Sequence, residues 1–162
     1  MKKLFKVLVA LVVVAALTWI PSFTSAPALA ADVEYVPGLQ FVITPYGEWE
    51  ETQSGAIYSP GQEVLVSYDA LRASSDNDSC PSFSPKTEVI GYVMSDNSGD
   101  ISKFPLKNID GYPVVNFVKI GSFQTPKCYQ QSDTIQIWFS GTGDGCFDSD
   151  FGNNYKFPVI CK

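Results

Sequence analysis

The stretch Thr134-Ile135-Gln136-Ile137-Trp138-Phe139-Ser140 decides the fold class. Ile135, Ile137 and Phe139 recur at every second position, the period of a β-strand with one buried face. A helix would return apolar side chains at three and four positions instead. Working outward, the same period comes back on both sides. Residues 155–160 place Tyr155, Phe157 and Val159 on one face, and residues 63–68 do so with Val64, Val66 and Tyr68. Residues 87–95 are apolar on both faces, as expected of a central strand. Further strands are expected at 39–44, with a short partner near Trp49, at 101–106 and at 114–120. Pro105 cannot donate to a ladder, which marks 101–106 as an edge strand. Turn clusters such as Ser95-Asp96-Asn97-Ser98-Gly99-Asp100 separate the runs. The 11 Pro and 12 Gly leave no helical window of a dozen residues. The expectation is all-β, an immunoglobulin-like antiparallel β-sandwich of about seven strands with two disulfides.

Residues 1–30 read as a secretory signal peptide. Lys2, Lys3 and Lys6 precede a 14-residue apolar run at 7–20, Pro21 ends it, and Ala28-Leu29-Ala30 has the small-x-small pattern of a cleavage site. A membrane span needs about 20 apolar residues, so this run is short for an anchor. No second run of spanning length follows. The mature domain is expected to be residues 31–162, secreted to the extracellular space or periplasm, with no membrane span.

Export governs how the cysteines are read. Cys80, Cys128, Cys146 and Cys161 are an even set in an oxidising compartment, where disulfides are the default. Their gaps of 48, 18 and 15 lack the close pairs of a tetrathiolate zinc site. In a sandwich order Cys80 and Cys146 fall in loops that share one end. Cys128 and Cys161 meet at the other, where the last two strands run antiparallel. Cys80–Cys146 and Cys128–Cys161 are the expected pairs, and the other two connectivities stay open.

The chain has no His, which removes Ser-His-Asp and Cys-His catalysis, His-ligated zinc and a His pH switch. Without the three leader lysines, eight basic residues face 17 acidic ones, a net charge of −9. Phosphate contacts need Lys/Arg clusters, so a nucleic-acid partner is disfavoured. No P-loop, dinucleotide fingerprint or zinc-protease motif occurs, and no cofactor is expected.

The densest polar segment is Gly145-Cys146-Phe147-Asp148-Ser149-Asp150-Phe151-Gly152-Asn153-Asn154-Tyr155. Asp148, Asp150 and Asn154 could present oxygens to Ca²⁺, as at the start of an EF-hand, but the closing Glu and the flanking helices are missing. The preferred reading is an Asx-rich turn into the last strand. Glu48, Glu50 and Glu51, and the pair Asp148/Asp150, raise glycoside hydrolysis. Neighbours on one strand do not face each other across a cleft, and a solvated acidic face is the preferred reading. Asp69 and Arg72, the only Arg in the chain, are expected to form an ion pair or to clamp the loop, with a carboxylate-gripping role for Arg72 as the lesser reading. If Ile135, Ile137 and Phe139 face the core, Trp138 faces outward. It is then either a platform for a sugar or a protein partner, or is covered by Phe41, Tyr46 or Trp49.

Two resemblances rest on these residues. Trp49, Gly61, Tyr68-Asp69-x-x-Arg72, Cys80, Ile137-Trp138-Phe139 and the run from Gly145 to Val159 resemble domain-of-unknown-function family 6209. Its members are small secreted or cell-envelope bacterial proteins. That resemblance spans about residues 40–160 and implies a β-sandwich without known enzyme chemistry. Phe147 stands where the pattern has Tyr or Trp, and Cys128 and Cys161 are additions to it. The segment 147–155 is also similar to the Trp-Asp-Asn-Asn-x-Gly-x-Asn-Tyr stretch of glycogen-targeting starch-binding modules, which implies α-glucan recognition through aromatics and loop amides. The expected function is a secreted, non-catalytic binding module for glycans. Trp49, Trp138 and Tyr155 would stack on sugar rings, and Asp148, Asn153 and Asn154 would bond hydroxyls. The alternative is an extracellular or envelope protein–protein interaction module.

Overall fold

A computed structural model describes residues 35–74, 83–109, 117–141 and 146–162. The signal segment, Cys80, the Asp110-Gly111 turn and the first residues of the strand expected at 114–120 lie outside the described residues. The described residues form ten strands: β1 (Gly38–Ile43), β2 (Trp49–Ser54), β3 (Ile57–Ser59), β4 (Glu63–Asp69), β5 (Val89–Ser95), β6 (Ile101–Asn108), β7 (Val118–Gln124), β8 (Ser132–Gly141), β9 (Phe147–Asp148) and β10 (Tyr155–Cys161). A 3-10 turn, Ala70–Ser74, follows β4. The described residues are therefore all-β.

The strands form one curled sheet in the order β2-β1-β4-β7-β6-β5-β8-β10-β3, with β9 added to β8. It is mixed, which corrects the antiparallel expectation: β1 runs parallel to β4, and β10 parallel to β3. The cause is the route of the chain. After the β1–β2 hairpin it crosses to place β3 beside β10, then returns along β4 in the direction of β1. β6 is not an edge strand. It pairs with β5 from Ile101 to Leu106 and with β7 only through Lys107 and Asn108, so Pro105 sits on a stretch that β7 leaves unpaired.

Alternation puts the core where the sequence places it. Ile135, Ile137 and Phe139 of β8, Val64, Val66 and Tyr68 of β4, and Tyr155, Phe157 and Val159 of β10 are all buried. Thr87–Ser95 of the sequence reading shortens to β5, with Val89, Gly91 and Val93 inward. Gly91 is there because Phe104 fills its space: a Cβ at Gly91 would lie 2.2 Å from the Phe104 ring. That ring packs on Phe123 at 5.1 Å between centroids. Gly91→Ala is expected to lower stability by about 1–3 kcal/mol through overpacking. A urea midpoint equal to that of the wild type would contradict it.

The Cys128–Cys161 disulfide forms as expected, with Cα atoms 5.9 Å apart. It ties the end of β10 to the segment that leads into β8. Its closed loop spans 33 residues, which corresponds to roughly 3–4 kcal/mol in the chain-entropy account. Cys146 is oxidised as well, and its expected partner Cys80 lies outside the described residues. Among the described residues no helix is long and apolar enough to cross a membrane.

Candidate functional site

The end of β4 feeds a cation into the interior. Asp69 accepts from the Leu71 N–H at 3.0 Å, closing the 3-10 turn, so the expected Asp69–Arg72 ion pair is not made. The turn instead aims Arg72 inward, where it is fully buried. Its Nη1 donates to the Val42 carbonyl at 2.6 Å and the Glu50 carbonyl at 3.2 Å. Its Nη2 donates to Glu51 Oε1 and, at 3.1 Å, to the Tyr155 hydroxyl. Nε lies 3.6 Å from Asp148 Oδ2. Trp49 and Tyr155 rings flank the guanidinium at 5.2 and 5.3 Å.

Asp148 is equally buried. Its carboxylate accepts from Tyr68 Oη at 2.9 Å and from Tyr155 Oη. Burial pushes both phenols above the ordinary tyrosine range, and the Asp148 charge adds to it. Both therefore stay protonated and donate. For Arg72, burial opposes the charge, but Tyr155, Glu51 and Asp148 outweigh it and hold its pKa above the usual arginine value. The result is a network in which the buried Arg72 faces the buried Asp148 and the more exposed Glu51, with the two phenols bonded to Asp148.

Above this network lies a groove of about 440 Å³, lined by Glu51 of β2, by Asp150, Asn153 and Asn154 of the β9–β10 turn, and by Tyr155, Lys156 and Phe157 of β10. Gly152 and Asn154 take positive φ as the Asx-rich reading expects, but the turn closes through backbone bonds and an Asn amide donor rather than through side-chain acceptors. Asn154 N–H bonds the Ser149 carbonyl at 2.8 Å, and Asn153 N–H and Nδ2 bond the Asp150 carbonyl at 3.0 and 3.1 Å. Asp150, Phe151 and Asn154 have φ of 46°, 54° and 59°. The left-handed region is unusual for an aromatic residue. Phe151 is 72% exposed, and its ring stacks on Trp49 at 5.7 Å.

Trp138 stands elsewhere. It stacks face to face on Tyr92 of β5 at 5.2 Å and 7°, and Lys103 Nζ lies 5.2 Å from the Tyr92 ring centre. Its cover is thus a cross-strand neighbour and not Phe41, Tyr46 or Trp49. The pairing of Tyr155 with Ile137 sets Asn154 beside Trp138. Asn154 Nδ2 donates to Gln136 Oε1 at 2.8 Å.

The expected site residues therefore divide. Asn153, Asn154 and Tyr155 meet at the groove, with Trp49 near it through Phe151. Trp138 adjoins Asn154 from the sheet face. Asp148 is withdrawn from any external ligand, because it is buried and bonded to two tyrosines. The same burial removes it from the calcium set with Asp150 and Asn154. Among the described residues no cluster of three or more acidic or cysteine side chains could hold a metal. Tyr155 offers a groove wall, but its hydroxyl is committed inward. Phe151 and Lys156 carry no ligand role in the sequence reading, whereas Glu51 enters it only within an acidic cluster and Asp150 only within the acidic pair and the calcium set. Phe151, an aromatic between Asp150 and Gly152 in a turn, was the available signal. No family model, no curated protein and no solved structure matches this chain.

Proposed function

We propose that this protein is a secreted, non-catalytic module that recognises a glycan in the groove between β2 and the β9–β10 turn. The observation that carries the reading is Phe151, an exposed aromatic held at positive φ and stacked on Trp49 beside a groove lined by carboxylate, amide and ammonium groups. Strained residues persist where surrounding structure maintains them, commonly at ligand sites. A sugar presents an apolar ring face and a rim of hydroxyls, and such a groove matches both. Glu51, Asp150, Asn153 and Lys156 are the hydroxyl partners. Glu51 is tied to Arg72, an engagement that favours a fixed binding role over a proton-transferring one.

The similarity of 147–155 to starch-binding modules supports an α-glucan, and the similarity to family 6209 agrees with an exported protein. We read the fold itself as immunoglobulin-like. The run β1-β4-β7-β6 and the run β5-β8-β10 supply its two layers, with β6 passing from one to the other. The exposed rings of Tyr46, Phe147 and Phe151 favour the second reading, a protein partner.

Titration of the mature protein with soluble α-glucans is expected to change tryptophan fluorescence, since Trp49 touches Phe151. Phe151→Ala should weaken binding about tenfold, the loss of roughly one stacking contact. A folded protein that gives no response across a broad glycan panel would overturn the glycan reading.

A further inference from the structure

A second opening lies where β6 leaves β5 to join β7. Val89–Leu106 is the last β5–β6 pair, and Lys107 and Asn108 then pair with β7. The divergence leaves a cavity of about 470 Å³, whose lining includes Lys86, Glu88, Ile90, Pro105, Lys107 and Lys119. Lys119 is the unusual member. It is 1% exposed on β7, and its Nζ donates to the Pro85 carbonyl and Asn108 Oδ1, both at 2.5 Å. Both acceptors are neutral, and the ion pairs of the described residues do not include it. An ammonium has three donors, and these two bonds use two of them. A buried charge without a counter-charge is costly, so such charges are normally paired. Arg72 obeys that rule with two carboxylates. Lys119 does not.

The chain is acidic, with 17 Asp and Glu against 11 Lys and Arg. Among the described residues three lysines nevertheless line this one cavity against a single carboxylate, Glu88. Its size suits a small ligand. Ile90 and Pro105 add apolar wall beside the cationic end.

We propose that this cavity binds an oxyanion group, with Lys119 at its base and Lys86 and Lys107 at its rim. The site shares no residue with the groove and stands or falls separately from the glycan reading. Lys119 supplies a fixed, desolvated charge. The exposed Lys86 and Lys107 supply capture and complete the neutralisation.

The test is thermal unfolding of the mature protein in inorganic phosphate, in sulfate and in hexanoate, each against chloride at equal ionic strength. At a hundredfold excess over Kd, Tm should rise by roughly 5–10 °C. The Lys86→Gln/Lys107→Gln double variant should lose most of that rise, and both positions are exposed, so the fold survives the change. A rise with phosphate and sulfate only assigns an inorganic or esterified oxyanion. A rise with hexanoate only assigns an organic acid that uses Ile90 and Pro105. Equal Tm in chloride and in all three anions overturns the proposal. So does an equal rise in the double variant, which would mark a general salt effect.

Discussion

Replacing Arg72 with Met is expected to destabilise the fold by about 3–5 kcal/mol, the usual range for breaking a buried ion pair from one side. The side chain is fully buried and bonds Val42, Glu50, Glu51 and Tyr155. Met fills a similar volume, so the loss is electrostatic rather than a cavity. Asp148 would remain in the interior with its charge and with only the Tyr68 and Tyr155 hydroxyls for company. Removing that charge as well should restore part of the loss. The double variant Arg72→Met/Asp148→Leu is expected to be more stable than Arg72→Met alone, a non-additivity that identifies the pair. Arg72→Lys should fall in between, because one ammonium cannot span acceptors on β1, β2 and β10. Urea denaturation of wild type, the three variants and the single Asp148→Leu variant that closes the cycle measures this. A single Arg72→Met variant within about 1 kcal/mol of wild type would show that the network does not hold the fold. The groove would also suffer, since Glu51 and Tyr155 line it and Arg72 fixes both.

This network explains what could and could not be read from the chain. β8, β4 and β10 were legible because each buries one face, and burial writes a period of two into the residues. β2 carries no such record. Its burial is almost uniformly exposed along Trp49-Glu50-Glu51-Thr52-Gln53-Ser54, since it lies at the sheet edge. β3 is three residues long, too short for a pattern. The parallel pairings follow from where β2 and β3 go, which no local period encodes. At the site, Asn153 and Asn154 were legible as turn formers, whereas Asp148 was read as outward because carboxylates usually are. Its inward direction depends on Arg72, a partner distant in sequence. One clue did exist. Alternation sends Tyr68 and Tyr155 into the core, and a buried phenol needs an acceptor. Lys119 is the counterpart case: its partners Pro85 and Asn108 are neutral, so no charge pattern could have marked it.

Phe41→Ala is expected to lower stability by about 3–5 kcal/mol, as large-to-small changes at buried aromatics do. The ring has no exposed surface. It sits on β1, yet its neighbours belong to distant strands. Phe139 of β8 meets it edge-on at 4.8 Å, Tyr155 and Phe157 of β10 at 5.1 and 5.7 Å, and Tyr68 of β4 lies tilted at 6.4 Å. The sheet order keeps β1 and β10 far apart along the ladder, so backbone pairing does not join them. The Phe41 ring does, through the interior of the curl. Removing it takes away hydrophobic transfer energy, three edge contacts, one tilted contact with Tyr68 and the wall that Arg72 faces at 6.0 Å. The void would adjoin a buried guanidinium, a place where water can find polar partners, so part of the cavity cost is offset by hydration. That argues for the lower half of the range. Phe41→Leu, which keeps most of the volume, should lose about 1–1.5 kcal/mol. Denaturant unfolding with fitted slopes separates two outcomes. A lower midpoint with an unchanged slope means that both halves of the curl still unfold together. A variant less than about 1 kcal/mol below wild type would mean that the ring is replaceable, and that the two ends of the sheet are held by the arginine network alone.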